Sequence, residues 1–127
     1  MAFVFDTKKT GLEMVMKDYQ AICIRYVWAV GEEGVNSGKA WVHVSKVLME
    51  QDRSISRASI IFFLNDMVDK GVLTFRSKSG KGGHHRVYFP VHDEVGFKKY
   101  VIKHILDKMA EEWPDETEKV ISAFKEE

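Results

Sequence analysis

Apolar positions recur at helical spacing in five stretches of the chain, and between the third and fourth of these the period drops to two. Thr10-Gly11-Leu12-Glu13 has the spacing of a capping box, in which the Thr10 hydroxyl and the Glu13 carboxylate each satisfy an amide at a helix start. A first helix is therefore predicted from Thr10, carrying Tyr19, Ile22, Cys23, Tyr26, Val27 and Val30 and stopping at Gly31 and Gly34. Gly34 to Gly38 reads as a turn and Ala40-Trp41-Val42 as a short strand. Val44, Val47 and Leu48 then form the inner face of a second helix ending near Gln51. After a tight turn at Asp52 to Ser54, Ser56 can cap a third helix with Ile60, Phe63, Leu64, Met67 and Val68 inside and Gly71 at its end.

Two runs follow, Val72 to Ser77 and His85 to Val91, rich in β-branched and aromatic residues. The glycines of Ser79-Gly80-Lys81-Gly82-Gly83 supply the positive φ angles that a hairpin tip requires. The second and third helices with their turn have a helix-turn-helix layout, and the hairpin is a two-stranded wing beside them. From Glu94 to Trp113 helical spacing returns through Phe97, Val101, Ile105 and Met109, and Ile102 and Leu106 widen the apolar stripe beyond what one small domain can cover. Pro114 suits the first turn of a last short helix with Val120, Ile121 and Phe124 on one side. The fold class is mainly α with a small β wing, an α+β arrangement. Residues 1–127 form a single domain with its core in 10–93 and two terminal helices in 94–127.

A chain of 127 residues suffices for one continuous core but not for a catalytic and a regulatory domain together. Apolar residues make up 45% and charged residues 30%, and no apolar run approaches the roughly 18 residues of a membrane span. Lys8 and Lys9 interrupt the N-terminus where a signal peptide would continue its apolar region, so a cytosolic protein is expected. The lone Cys23, inside an apolar helical pattern, reads as a small buried hydrophobe in a reducing compartment.

The formal net charge is zero, but it is unevenly distributed. Between Arg53 and Arg86 there are seven bases against only Asp66 and Asp69, whereas Glu111 to Glu127 holds seven acids against Lys119 and Lys125. The basic pole thus coincides with the third helix and the wing, where Arg76, Lys78, Lys81 and Arg86 occur without one acid. His84-His85 does not read as a metal site, because neighbours in a strand point to opposite faces and no Cys or carboxylate lies near. The glycines of the tip lack phosphate-loop spacing, and neither a nucleophile triad nor a paired-carboxylate arrangement is present. The expectation is a protein without enzymatic activity, cofactor or metal.

Three stretches carry a family resemblance. Asp18-Tyr19-Gln20-Ala21-Ile22-Cys23-Ile24-Arg25-Tyr26-Val27-Trp28 is similar to the first helix of the penicillinase-repressor family. Ser56-Arg57-Ala58-Ser59-Ile60 with Met67-Val68-Asp69-Lys70-Gly71-Val72-Leu73 resembles the recognition helix and wing entry of that family and of the related multiple-antibiotic-resistance regulators. Arg86-Val87-Tyr88-Phe89-Pro90-Val91 looks like the returning wing strand. The resemblance covers about residues 16 to 110, leaving the N-terminal extension and the short acidic tail without a counterpart.

The resemblance implies a winged helix-turn-helix with additional terminal dimerisation helices: a homodimeric transcriptional regulator of double-stranded DNA, third helix in the major groove and wing on the backbone. The candidate DNA-binding residues on and before the third helix are Ser54, Ser56, Arg57, Ser59, Ile61 and Asn65. Arg57 and Asn65 are the types that read guanine and adenine edges, and Ser59 suits a phosphate near the helix start. The wing adds Arg76, Lys78, Lys81, His84, His85 and Arg86. The dimer interface is expected from Tyr19, Phe97, Val101, Ile102, Ile105 and Leu106, with Met109, Trp113, Ile121 and Phe124. Ile61 and Phe62 depart from the family, whose corresponding face is more polar, and favour the alternative of a winged-helix protein-interaction module in a larger complex. The sequence specifies no small-molecule effector.

Overall fold

Gly11 adopts a φ of +58°, outside the right-handed helical region, so the segment after Thr10 closes as a single 3₁₀ turn, Gly11–Met14. The Thr10 side chain makes no capping hydrogen bond there, and the amide of Glu13 donates to the Thr10 carbonyl instead. The capping-box expectation is thereby corrected: helix α1 starts only at Asp18 and spans Asp18–Val30. Its first turn is closed by Gln20, whose side-chain carbonyl accepts from the Lys17 amide at 2.8 Å. The computed structural model describes residues 3–80 and 83–126.

The short strand also lies elsewhere than expected. Val35–Asn36 forms β1, and Ala40-Trp41-Val42 belongs to helix α2, Ser37–Met49. Three consecutive apolar residues suit either state, and two features decide for the helix. Asn36 caps it by accepting from the Lys39 amide at 2.8 Å, and Ala40, Val44 and Leu48 are fully buried at a spacing of four. Trp41 is half-buried and its indole nitrogen donates to the Ile55 carbonyl at 2.9 Å, which ties α2 to the approach of the next helix.

Helix α3, Arg57–Asp69, begins at the predicted cap, where the Ser56 hydroxyl accepts from the Ser59 amide at 3.1 Å. Ile60, Phe63, Leu64 and Met67 form its buried side, with Val68 at the margin. Gly71, at φ +75°, turns the chain into the hairpin β2, Leu73–Gly80, and β3, Gly83–Pro90. The strands stay paired out to Gly80 opposite Gly83, longer than predicted, and β1 adds to the outer edge of β3. The sheet is therefore three-stranded and antiparallel, in the order β1-β3-β2. Helices α4, Glu94–Glu112, and α5, Pro114–Glu126, complete the chain.

The chain divides into two units, one running to Glu94 and the other from Val95 onward. In the first, Cys23, Ile24 and Val27 of α1 are buried with Val44, Leu48, Ile60 and Leu64. In the second, Phe97 and Val101 are buried, while Ile102, Leu106, Met109 and Trp113 lie exposed along α4 and its end. Among the described residues, no helix is long and apolar enough to cross a membrane.

Candidate nucleic-acid interface

Helix α3 presents a polar N-terminus built by its own cap. The Ser56 and Ser59 hydroxyls lie 2.8 Å apart in a hydrogen bond, and Ser54, Ser56 and Arg57 are exposed around them. The Arg57 guanidinium runs back beside the start of α2, where a Cβ on Gly38 would come within 3.3 Å of its Nη2. Further along the helix Ile61 is 37% exposed and Phe62 77%.

The pairing register sorts the basic residues of the wing onto two faces. Phe75, Ser77 and Ser79 stand opposite Tyr88, Arg86 and His84, so these six share one face. Arg76 and Lys78, paired with Val87 and His85, occupy the other. The Arg76 guanidinium lies 5.1 Å from the Phe89 ring centroid on that second face. Arg86 lies 3.9 Å from the Phe75 ring on the first, and its Nη1 donates to Asn65 Oδ1 at 3.1 Å. Tyr88, 2% exposed, donates its hydroxyl to the same oxygen at 2.5 Å. Burial pushes the Tyr88 phenol upward from its ordinary pKa, which keeps that hydroxyl protonated and a donor.

A cleft of about 320 Å³ opens between α3 and the wing, lined by Ser37, Ile61, Asn65, Ser77, His84, His85, Arg86 and Tyr88. It brings together five of the sequence-predicted residues, Ile61, Asn65, His84, His85 and Arg86. Ser37, Ser77 and Tyr88 were missed by the sequence reading. For Ser77 and Tyr88 a signal exists: strand alternation puts Tyr88 on the face of Arg86, and the register sets Ser77 opposite it. Ser37 arrives from the start of α2 and has no local signal. Ser54, Ser56, Arg57 and Ser59 cluster instead at the α3 N-terminus. His84 Nδ1 is 3.3 Å from the Ser79 hydroxyl, and the described residues hold no His, Cys, Asp and Glu cluster suited to a metal. Lys81 lies outside the described residues.

Among the described bases of the middle segment, Arg53 and Lys70 are paired with acids. Arg53 grips Asp18 through Nη1 at 2.5 Å and Nη2 at 3.1 Å, and this partner holds the Asp18 carboxyl below its usual value. Lys70 Nζ is 2.7 Å from Asp66 Oδ2. Among the described residues, Arg57, Arg76, Lys78 and Arg86 make no ion pair, so the uncompensated charge sits on α3 and the wing.

A family model described as penicillinase repressor matches residues 18–127. The chain belongs to the penicillinase repressor family. No curated protein sequence matches it significantly. The family match corrects the extent of the resemblance read from the sequence, because it reaches through the acidic tail to Glu127 and leaves only the residues before Asp18 outside. Members of the penicillinase repressor family are transcriptional repressors and not enzymes, and their winged-helix architecture agrees with the helices and three-stranded sheet described above. This repressor is accordingly a DNA-binding regulator of transcription.

Proposed function

We propose that the protein binds double-stranded DNA in a sequence-specific manner as a homodimer, with α3 in the major groove and the wing along the phosphate backbone, and that it does so in the cytoplasm. The observation that carries this reading is the uncompensated positive charge of Arg57, Arg76, Lys78 and Arg86 on two adjacent elements. Phosphate neutralisation supplies most sequence-independent affinity, and the wing bases stand where the backbone would pass. Arg57, in the first turn of α3, is the guanine reader in this arrangement, since recognition helices touch base edges with their N-terminal residues.

The test is the salt dependence of binding to a random-sequence duplex. Replacing Arg76 and Lys78 with Ala should weaken binding and flatten the log-log slope by about one unit per lost phosphate contact. An unchanged slope would remove the wing from the interface. A flat dependence for the wild-type protein would favour α3 as a protein-docking face, a reading that the 77% exposure of Phe62 supports.

A further inference from the structure

Among the described residues, Asn65 is the polar side chain of the α3 recognition face that hydrogen bonds tie to the wing. Its Oδ1 accepts from Arg86 Nη1 at 3.1 Å and from the Tyr88 hydroxyl at 2.5 Å. A carboxamide oxygen has two lone pairs, so both are engaged. Reading adenine requires the opposite: the same oxygen must accept from the base N6 while the amide donates to N7. The donors on Oδ1 are themselves held. Tyr88 is 2% exposed, and the Arg86 guanidinium is stacked on Phe75, the residue paired with Tyr88 across the hairpin.

We infer that Asn65 is a positioning residue and not a base reader: with Arg86 and Tyr88 it forms a clasp that fixes the angle between α3 and the wing. The inference rests on the proposed placement of both elements on one duplex. A protein that grips bases with one element and phosphates with another gains affinity when the two are already set at the right separation, because the ordering cost is met before binding. The clasp supplies that ordering, and Arg86 acts in it as a stacked, hydrogen-bonded strut. Sequence preference then comes from the other exposed positions of α3, with Asn65 setting how the wing registers on the backbone.

Three variants separate positioning from reading. Asn65→Ala removes the acceptor, Tyr88→Phe removes a buried donor that no base can reach, and Asn65→Asp keeps an acceptor while losing the amide donor that adenine reading needs. The probes are a duplex selected by the wild-type protein from a random pool and the unselected pool itself. Amide hydrogen exchange of β2 and β3 is followed in the free proteins.

Asn65→Ala and Tyr88→Phe should each speed exchange in β3 and lower affinity for the selected duplex by about fivefold to tenfold, the scale of one or two lost hydrogen bonds, with the preferred sequence unchanged. Asn65→Asp should keep wild-type exchange and, although its charge weakens binding to both probes, select the same sequence. The inference is overturned if Asn65→Asp changes the preferred base at one step, or if Tyr88→Phe leaves exchange and affinity at wild-type levels. Failure of the underlying DNA reading shows separately, as a wild-type protein that selects no duplex, and the exchange data then still report whether the clasp holds the wing.

Discussion

At Gly34 the backbone takes φ +77° and ψ 165°, a region essentially reserved for glycine, and a Cβ built there would lie 2.6 Å from both Val87 Cγ1 and Phe89 Cε1. Both contacts are with side chains on the sheet face opposite the clasp, so a Cβ would force Val87 and Phe89 to shift in addition to the strain in the backbone of residue 34 itself. Gly31, at φ +67°, has nothing within 4 Å of the same position. Gly31 also has a strained backbone, with ψ −125°, so Gly31→Ala should cost about 1 to 3 kcal/mol from its backbone alone, and Gly34→Ala should cost more because the overlap adds to the strain. Urea unfolding of the two variants checks this, and equal losses would refute the packing argument. Cys23 makes a second residue-level case. It is 0% exposed and burial pushes its thiol up to about 12, so almost no thiolate exists at neutral pH. A thiol reagent should leave the native protein unmodified over a time in which the urea-unfolded chain reacts fully; stoichiometric labelling of the native state would contradict the buried placement.

Among the elements, α3 and the hairpin were the most legible in the sequence, because Ser56 and Gly71 punctuate one and a change of period announces the other. The β1 strand was not legible: two residues carry no period, and Val35–Asn36 becomes a strand only because β3 offers an edge. The clasp was half legible, since Asn65 and Arg86 were both singled out as separate DNA contacts while their 21-residue separation hid the bond between them. A similar long-range tie joins the start of α1 to the turn before α3 through Asp18 and Arg53. Arg53 lowers the Asp18 pKa from 3.8, so the stability it contributes is present above about pH 4 and is lost as the pH falls through the depressed folded value. Both side chains are over 40% exposed, which keeps the effect small. Asp18→Asn should thus show a shallower loss of urea midpoint between about pH 6 and about pH 3 than the wild type. Parallel acid limbs would mean that the pair does not form in solution.

For the molecule as a whole, the question is what covers α4. The sequence placed Phe97, Val101, Ile102, Ile105, Leu106, Met109 and Trp113 together in one interface, and the helix carries two neighbouring stripes of different burial. Phe97 and Val101 are buried in the single chain, whereas Ile102, Leu106, Met109 and Trp113, spaced four, three and four apart, remain exposed as a continuous strip. That spacing is the seam by which two helices pack, and a second copy of the chain is the occupant that the proposed homodimer requires. Its role in DNA binding can be measured through charge. A dimer that places two wings on one duplex neutralises twice the phosphates of a single protomer, so the slope of log affinity against log salt should be about twice as steep. Leu106→Glu, which puts an anion in the middle of the strip, should give a monomer by sedimentation at tens of micromolar, with helical circular dichroism unchanged because the position is on the surface. Its salt slope on the selected duplex should fall to about half the wild-type value, and its affinity by roughly a hundredfold or more as the second contact ceases to be intramolecular. A monomer that keeps the wild-type slope would mean that one protomer makes all the phosphate contacts, and a variant that still dimerises would place the subunit interface elsewhere.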